Sequence, residues 1–191
     1  MGTLRVVSGS ARGLRLKTVP GDSTRPITDQ VKEALFNILG NWIEGTIILD
    51  LFGGTGAVGI EALSRGADFV TFIDINNQAV RTIKENLSTT KFTEFSDVIK
   101  QDAFAYLRNT GREAFDLVYI APPQYKKLWI SALKLIDDYP GWLTENGLVI
   151  LQINPLEWED IELLNFYIVR RKKYGDTELI FFEKRSSEVD L

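Results

Sequence analysis

A glycine-rich loop between a short apolar run and a helical pattern constrains the fold of this chain more than any other feature. The run Ile47–Leu51 is almost continuously apolar, which is typical of a parallel strand covered on both faces. Gly54, Gly56 and Gly59 then match the pattern G-x-G-x-x-G, in which glycines allow a close backbone approach to a ligand at a helix start. The loop predicts a Rossmann-like α/β fold with a ligand at the carboxyl edge of its sheet.

The rest of the chain repeats this alternation of apolar runs and helical patterns. The predicted strands are Ile47–Leu51, Phe69–Ile73, Asp97–Lys100, Phe115–Ile120 and Leu148–Ile153. The predicted helices between them are Ala57–Ser64, Asn77–Leu87, Ala103–Asn109 and Lys127–Asp137. Such alternation indicates a doubly wound, mostly parallel sheet. Two final runs, Phe166–Arg171 and Thr177–Phe182, have no helix between them and are expected to form an antiparallel hairpin at the sheet edge.

The N-terminal part predicts a small extension of this sheet domain. Leu4–Ser8 and Leu14–Val19 flank a glycine-containing turn and are expected to form a β-hairpin. Thr28 is placed to cap a helix that ends at Gly40. We therefore expect a hairpin and helix extension over residues 1–41 and a ligand-binding domain over residues 42–191.

The residue types that the chain lacks exclude several kinds of chemistry. It has no cysteine and no histidine in 191 residues, so a disulfide, a thiolate nucleophile and a Ser-His-Asp relay are excluded. We expect no metal. No apolar run approaches the roughly 18 residues that a membrane span needs. No signal or transit segment is recognisable, so a cytoplasmic protein is expected; an organelle such as the chloroplast stays open if a transit peptide was removed. A monomer is expected as well.

Two carboxylates lie near the glycine loop, and one of them, Asp50, distinguishes between its possible ligands. Asp74 follows Gly54 by 20 positions, where an acid accepts ribose hydroxyls of either NAD or S-adenosylmethionine (SAM). Asp50 directly precedes the loop, where it would repel the pyrophosphate of a dinucleotide and attract the ammonium and sulfonium of SAM. SAM is favoured, although a helix-end charge at Asp50 and an NAD-dependent oxidoreductase remain alternatives.

Two further segments follow predicted strands at the same edge. Asp102 follows the third strand, where its carboxylate would accept the exocyclic amine of adenine while Phe104 covers the ring; a simple helix cap is the alternative. After the fourth strand comes Ala121–Tyr125, in which two prolines fix an extended turn. Its carbonyls and tyrosine are suited to orienting an amino group and stacking on a base.

The positive charge is concentrated in two segments although the chain carries a net charge of −4. Residues 1–20 carry +4 and residues 166–185 carry +3. A concentrated positive field favours a polyanionic partner in spite of an acidic total, while ordinary solvated strands are the alternative.

Several of these segments together resemble the RsmD family, the small-subunit ribosomal RNA guanine-N2 methyltransferases. The resemblance runs over essentially the full chain and is carried by Arg5–Gly13, Arg25–Leu39, Asp50–Gly59, Ile60–Ala67 and Tyr174–Thr177. It implies a class I SAM-dependent methyltransferase with a seven-stranded sheet, which methylates a guanine amine in an assembling small ribosomal subunit.

The resemblance and the residue patterns together define three expected sets of site residues. The expected SAM-binding residues are Thr28, Asp50, Gly53, Gly54, Gly56, Asp74, Ile75, Asp102 and Ala103. The expected RNA-binding residues are Arg5, Arg12, Arg15 and Arg25. The expected catalytic residues are Ala121, Pro122, Pro123 and Tyr125.

One departure from the family pattern affects the chemistry. The family has Asp-Pro-Pro-Tyr after the fourth strand, whereas this chain has Ala121 in place of the acid and Gln124 inserted before Tyr125. Alanine has no side-chain acceptor for the target amine, so the Ala121 and Pro122 carbonyls would have to orient it. A non-catalytic SAM- and RNA-binding module is therefore a second hypothesis.

Overall fold

A computed structural model of the protein describes residues 4–21, 27–109 and 114–185. Its centre is a seven-stranded sheet with the order β3-β2-β1-β4-β5-β7-β6. The first five strands are parallel, and β7 lies antiparallel between β5 and β6. The predicted mostly parallel sheet with an antiparallel C-terminal hairpin is confirmed.

The helices and strands follow the predicted order closely. The strands are β1 Ile47–Asp50, β2 Phe69–Asp74, β3 Ser96–Lys100, β4 Phe115–Ile120, β5 Leu143–Ile153, β6 Phe166–Tyr174 and β7 Thr177–Lys184. The helices are α1 Asp29–Leu39, α2 Ala57–Ser64, α3 Asn77–Thr90, α4 Ala103–Leu107 and α5 Leu128–Asp138. Thr28 caps α1 through its hydroxyl, which accepts from the Val31 N–H, and Gly40 ends this helix with a positive φ of 54°.

The largest difference from the prediction is the start of β5. The predicted strand begins at Leu148, directly after Asn146 and Gly147, which are typical turn formers. The strand instead begins at Leu143 and changes register against β4 between Phe115 and Leu117. A Cβ at Gly147 would lie 2.9 Å from the Leu143 side chain, so this glycine permits the irregularity within the strand.

The sheet is covered on both faces by separate apolar cores. One core contains buried residues of the N-terminal segment and of α1, α2 and α3. The other contains buried residues of α4 and α5. Among the helices of residues 4–21, 27–109 and 114–185, none combines the length and the apolar composition of a membrane span.

The N-terminal hairpin packs onto the first of these cores. Leu4, Val6 and Leu16 are buried, and the two arms meet at an antiparallel bridge between Arg5 and Arg15. The predicted hairpin is thus present. Backbone hydrogen bonds from Val6 to Leu14 and from Leu16 to Leu4 flank the bridge and join the two arms, although the arms do not form continuous strands. Its position against the sheet places the basic residues of the hairpin on the same side of the molecule as α2 and α3.

A buried charged cluster holds the hairpin in place. The Glu61 carboxylate accepts from the Val7 N–H at 2.7 Å and from the Ser8 N–H at 2.9 Å. Lys32 is fully buried, lies 3.5 Å from Glu61 and donates to the Arg5 carbonyl. Burial lowers the pKa of Lys32 below its usual value, and the carboxylates of Glu61 and Asp29 oppose that shift. The hairpin therefore depends on side chains that come from α1 and α2.

Candidate cofactor and acceptor cleft

A cleft of about 610 Å³ opens at the carboxyl edge of the sheet. It lies beside β1 and β4. The strand order reverses between these two strands, because β2 and β3 follow on one side of β1 and β4 lies on the other, and ligands of open α/β sheets bind at such a point. The predicted residues that line it are Asp50, Gly53, Gly54, Asp74, Ile75, Asp102, Ala103, Ala121, Pro122 and Pro123. The fold thus brings most of the predicted cofactor and catalytic residues into one cavity.

Asp50 is a buried and strongly perturbed ionisable group of this cleft. It ends β1 and is only 2% exposed. Burial, and secondarily the nearby charge of Asp74, raises the pKa of Asp50 to about 8, while the backbone N–H of Gly59 acts in the opposite direction. A buried acid beside a ligand cavity favours a cationic ligand group, because a cation would restore the ionised form.

The glycine loop is fixed by backbone hydrogen bonds. The Gly53 N–H donates to the Ile73 carbonyl at 2.8 Å, and the Gly54 N–H donates to the Asp74 carboxylate at 2.9 Å. Gly54 has a positive φ of 57°, and a Cβ at Gly53 would lie 2.8 Å from Ile83. The backbone conformation therefore favours glycine at position 54, whereas a side chain at position 53 would displace the end of Ile83.

Gly56 and Gly59 support the loop from outside the cleft lining. Gly56 precedes α2 with a φ of 77°, and its N–H donates to the Gly53 carbonyl at 2.7 Å. A Cβ at Gly59 would lie 2.4 Å from the Phe72 ring, so this glycine allows α2 to pack closely on β2. Gly56 therefore contributes to the site by shaping the loop and not by lining the cleft.

The ribose and adenine end of the predicted site is formed by residues after β2 and β3. Asp74 also accepts from the Asn76 N–H at 2.8 Å, which fixes the direction of its carboxylate. Ile75 is 64% exposed and lines the cleft, so it presents an apolar surface to a ligand. Asp102 lines the cleft and also caps α4 by accepting from the Ala105 N–H at 2.9 Å. The two interpretations of Asp102 are therefore compatible.

The proline turn after β4 forms the opposite wall. Ala121, Pro122, Pro123 and Gln124 line the cleft. Tyr125 is 67% exposed with a positive φ of 61°, and its N–H donates to the Glu157 carboxylate at 2.6 Å. It is not among the described lining residues and lies at the rim, with its ring accessible from solvent.

Sequence reasoning missed several residues of the cleft. Gln152, near the end of β5, lines it and accepts a short hydrogen bond from the Tyr119 hydroxyl. Its position at the carboxyl edge was the signal that could have identified it. The predicted residue Thr28 caps α1 outside the described lining, and Val19 and Ile27 line the cleft instead.

The predicted RNA-binding arginines differ in their surroundings. Arg12 and Arg15 are exposed on the hairpin. Arg5 is also exposed, and its Nε donates to Asp29 at 2.9 Å. Arg25 lies outside the described residues.

The residues present fit SAM. The cleft combines a buried acid for an ammonium, a glycine wall, a second carboxylate positioned by the loop, and the exposed Ile75 side chain. A dinucleotide fits less well because its pyrophosphate would approach Asp50 at the end of β1.

Comparisons with known proteins agree with this assignment. The family model described as conserved hypothetical protein 95 matches residues 4–183. YlbH of Bacillus subtilis, named as an rRNA methyltransferase, is 38% identical over 185 residues that cover 95% of this chain and all of that protein. Ribosomal RNA small subunit methyltransferase D of Haemophilus influenzae is 34% identical over 166 residues, 82% of this chain and 86% of that protein.

A solved structure shows the same relationship. The Escherichia coli protein yhhF, named as a methyltransferase, superposes with a TM-score of 0.84 at 30% identity, covering 96% of this chain and 98% of that one. The chain therefore belongs to the RsmD family, whose relatives include the ribosomal RNA small subunit methyltransferases D.

Proposed function

We propose that this protein transfers the methyl group of SAM to the exocyclic N2 amine of a guanine in small-subunit ribosomal RNA. The observation that carries the proposal is the cleft, in which the buried Asp50 and the proline turn face one cavity. Membership of the RsmD family supports ribosomal RNA as the substrate. The hairpin with the exposed Arg12 and Arg15 supports an RNA partner as well.

The cofactor end of the cleft orients the donor. When bound, SAM supplies an electrophilic methyl group on a sulfonium. Asp50 holds the ammonium, the Asp74 carboxylate accepts ribose hydroxyls, and Asp102 accepts the adenine amine. The cost of burying Asp50 is offset only when a cation is present, so this residue selects for the charged donor.

The acceptor end of the cleft orients the guanine amine. The carbonyls of Ala121 and Pro122 accept its two N–H groups, so that the nitrogen lone pair points toward the methyl group. Tyr125, at the rim, stacks on the extruded base. No carboxylate stands at position 121 to accept a proton. The Gln124 amide oxygen can accept a hydrogen bond from the amine, and the proton that the methylated amine loses passes to water. By analogy with losing one transition-state hydrogen bond, transfer is expected to be slower by roughly 10²–10³ than with an acid there.

The decisive experiment is a transfer assay with labelled SAM and small ribosomal subunits that lack the modification. Label in N2-methylguanosine after nucleoside digestion supports the proposal. Label in another nucleoside retains the methyltransferase but contradicts the guanine-N2 assignment. Absence of label, with SAM binding verified by calorimetry, contradicts catalysis under these conditions.

A second candidate function is motivated by Ala121 alone. A family member without the acid could bind SAM and RNA without transferring the methyl group. The variant Ala121→Asp separates the two functions, because it restores the acceptor of the family motif. An inactive wild type with an active variant supports the non-catalytic module, whereas turnover by the wild type eliminates it.

Replacing Tyr125 is expected to affect turnover more than cofactor binding. Tyr125→Ala should lower kcat about 10-fold or more, because stacking on a base contributes roughly 1–3 kcal/mol. The Kd for SAM should stay within about twofold, since the ring lies at the rim of the cleft. Steady-state kinetics and calorimetry measure the two effects. Tyr125→Phe, which keeps the ring, serves as the control, and an equal loss of SAM affinity would contradict a stacking role.

SAM binding is expected to tighten as the pH rises from 6 to 8. Below its pKa of about 8 the Asp50 carboxyl is mostly protonated, so binding of an ammonium must release a proton. We expect the Kd to be about 10-fold or more higher at pH 6 than at pH 8. Above that pH the ligand amine, with an ordinary pKa of about 7.7–8.0, loses its own charge and affinity falls again.

Calorimetry in two buffers of different ionisation enthalpy measures this proton release directly. Heats that are independent of the buffer at pH 6.5 would show that Asp50 is already ionised in the free protein.

A further inference from the structure

A second concave surface lies next to the cleft and is distinct from it. It is an open groove of about 810 Å³ lined by Lys17, Asn77, Val80, Arg81, Lys84, Glu85 and Ser88. Except for Lys17, these residues form the outward face of α3 at spacings of three and four residues. The groove therefore runs along α3 for roughly 16 Å, with the N-terminal segment as its second wall.

The charge of the groove is positive. Lys17, Arg81 and Lys84 contribute three cations against the single carboxylate of Glu85. Lys17 donates to Glu85 at 2.8 Å, and this ion pair lowers the pKa of the Glu85 carboxyl below its usual value. Arg81 and Lys84 form no salt bridge with any residue in the described ranges. Two cations on one helix face are thus available to an anionic ligand.

The wall formed by Lys17 is held rigidly against α3. The buried Asn86 side chain accepts from the Lys17 N–H at 2.7 Å and donates to the Lys17 carbonyl at 3.0 Å. The same amide donates to the Thr55 carbonyl of the glycine loop at 2.9 Å. Asn86 therefore fixes the groove relative to the cofactor cleft, so that a ligand bound along α3 has a defined position with respect to it.

The groove also adjoins both functional surfaces. At one end Asn77 follows Asn76, which lines the cofactor cleft. On the hairpin side Lys17 stands two residues from the exposed Arg15, and side chains two apart in an extended strand share a face. A chain of phosphates that contacts the hairpin could thus continue along α3 toward the cleft rim.

We propose that this groove binds the sugar–phosphate backbone of the substrate RNA, through Arg81 and Lys84 of α3 and through Lys17. The inference rests on the proposed function and extends its RNA-binding surface beyond the hairpin. In the free protein the Glu85 carboxylate holds the Lys17 ammonium at the groove. In the complex a phosphate of the RNA contacts the same ammonium. The contacts are to phosphates, so they position the RNA without reading its sequence.

The test is filter binding of an in vitro transcript of small-subunit ribosomal RNA at several salt concentrations. Arg81→Gln/Lys84→Gln should weaken binding about 10-fold at moderate salt. It should also reduce the slope of log affinity against log salt by about 1.4, because each lost phosphate contact on a single strand contributes about 0.7. The Kd for SAM and the Tm should not change, because neither side chain lines the cleft. The matched control is Lys134→Gln, an exposed cation on α5 at the opposite face of the sheet.

A second variant is expected to change the affinity for RNA in the opposite direction. Glu85→Gln removes the carboxylate from the groove and frees Lys17, so binding of the same transcript should tighten about two- to threefold at low salt. Glu145→Gln, an exposed acid in β5, should leave affinity unchanged. A merely solvated helix face predicts no effect of any of these variants, and that result would overturn the proposal.

Filter binding and the transfer assay together separate this inference from the proposed function. If the wild type binds the transcript and both groove variants behave as the wild type, the groove proposal is wrong while methyl transfer is unaffected. If the wild type binds with the expected groove dependence but yields no methylated nucleoside, the groove proposal holds and the proposed reaction fails. If the wild type does not bind the transcript at all, the groove proposal is overturned as well.

Discussion

Asp50→Asn is expected to raise the Kd for SAM by roughly 100-fold and, at the same time, to raise the Tm of the cofactor-free protein. The loss of affinity follows from removing the only charge at the end of β1 that faces a bound ammonium in the described cleft. Truncating one partner of a buried charge pair typically costs about 2–5 kcal/mol. Asparagine keeps the shape and one acceptor oxygen, so the comparison isolates the charge.

The gain in stability follows from the raised pKa of Asp50. Its carboxyl has a pKa of about 8 when folded and about 3.8 as a free group. Between these values the unfolded chain releases a proton that the folded chain retains, so stability falls as the pH rises through this window and stays low above pH 8. Asparagine does not titrate, so the variant should be more stable at pH 8 by roughly 2–4 kcal/mol, or about 5 °C or more in Tm.

Thermal unfolding at pH 5 and pH 8, together with SAM calorimetry, measures both effects. The difference in stability between the variant and the wild type should be smaller at pH 5. That pH is only a little above the free pKa of 3.8, so most of the pH-dependent loss of wild-type stability occurs above it. Asp97→Asn, at an exposed position of β3, should change neither Tm nor SAM affinity. If Asp50→Asn instead lowers the Tm at pH 8, the surroundings of Asp50 stabilise its carboxylate in the cofactor-free protein. The interpretation of Asp50 as a carboxylate that burial destabilises until a cation binds would then be wrong.

The parts of the fold that were predictable are those dictated by local pattern. The strand β1, the helix α2 and the glycines between them form one contiguous segment, whose apolar run and φ requirements are visible in the sequence. The parallel order then places Asp50, Asp74 and Asp102 at one edge, because carboxyl ends of parallel strands meet there. The sequence pattern therefore predicts where the cleft lies, although not all of the residues that line it.

The parts that were missed depend on distant pairing. Gln152 enters the site only because β5 lies beside β4 and its side chain meets the Tyr119 hydroxyl. Ile27 lines the cleft, whereas the hydroxyl of its neighbour Thr28, which is predicted to bind the cofactor, caps α1. Asn86 hydrogen-bonds Lys17 across 69 positions of sequence, a contact that no local pattern encodes.

The buried Glu61 is another such residue, and it leads to the second large effect. Glu61→Ala is expected to destabilise the protein by about 3–5 kcal/mol, because it leaves the buried Lys32 without its closest carboxylate partner. The Val7 and Ser8 N–H groups lose their acceptor at the same time. The Tm should fall by about 10 °C, as measured by calorimetry.

The loss should be concentrated in the hairpin. Residues 4–17 should exchange amide hydrogens faster than β1 and β4, and trypsin should cleave first at Arg12 or Arg15, because the contacts removed dock the hairpin on α2. RNA affinity should fall more than SAM affinity, since the glycine loop does not contact Glu61 through any described hydrogen bond.

A double-mutant cycle distinguishes a charge pair from simple packing. Lys32→Met should be costly alone, because the Arg5 carbonyl and Glu61 lose a donor. It should cost less or even stabilise in the Glu61→Ala background, where the buried ammonium keeps only Asp29, at 3.8 Å, as a carboxylate partner. A coupling of about 1.5 kcal/mol or more is therefore expected. Additive effects would mean that Lys32 and Glu61 act independently, and that the hairpin is held by its apolar contacts on the core alone.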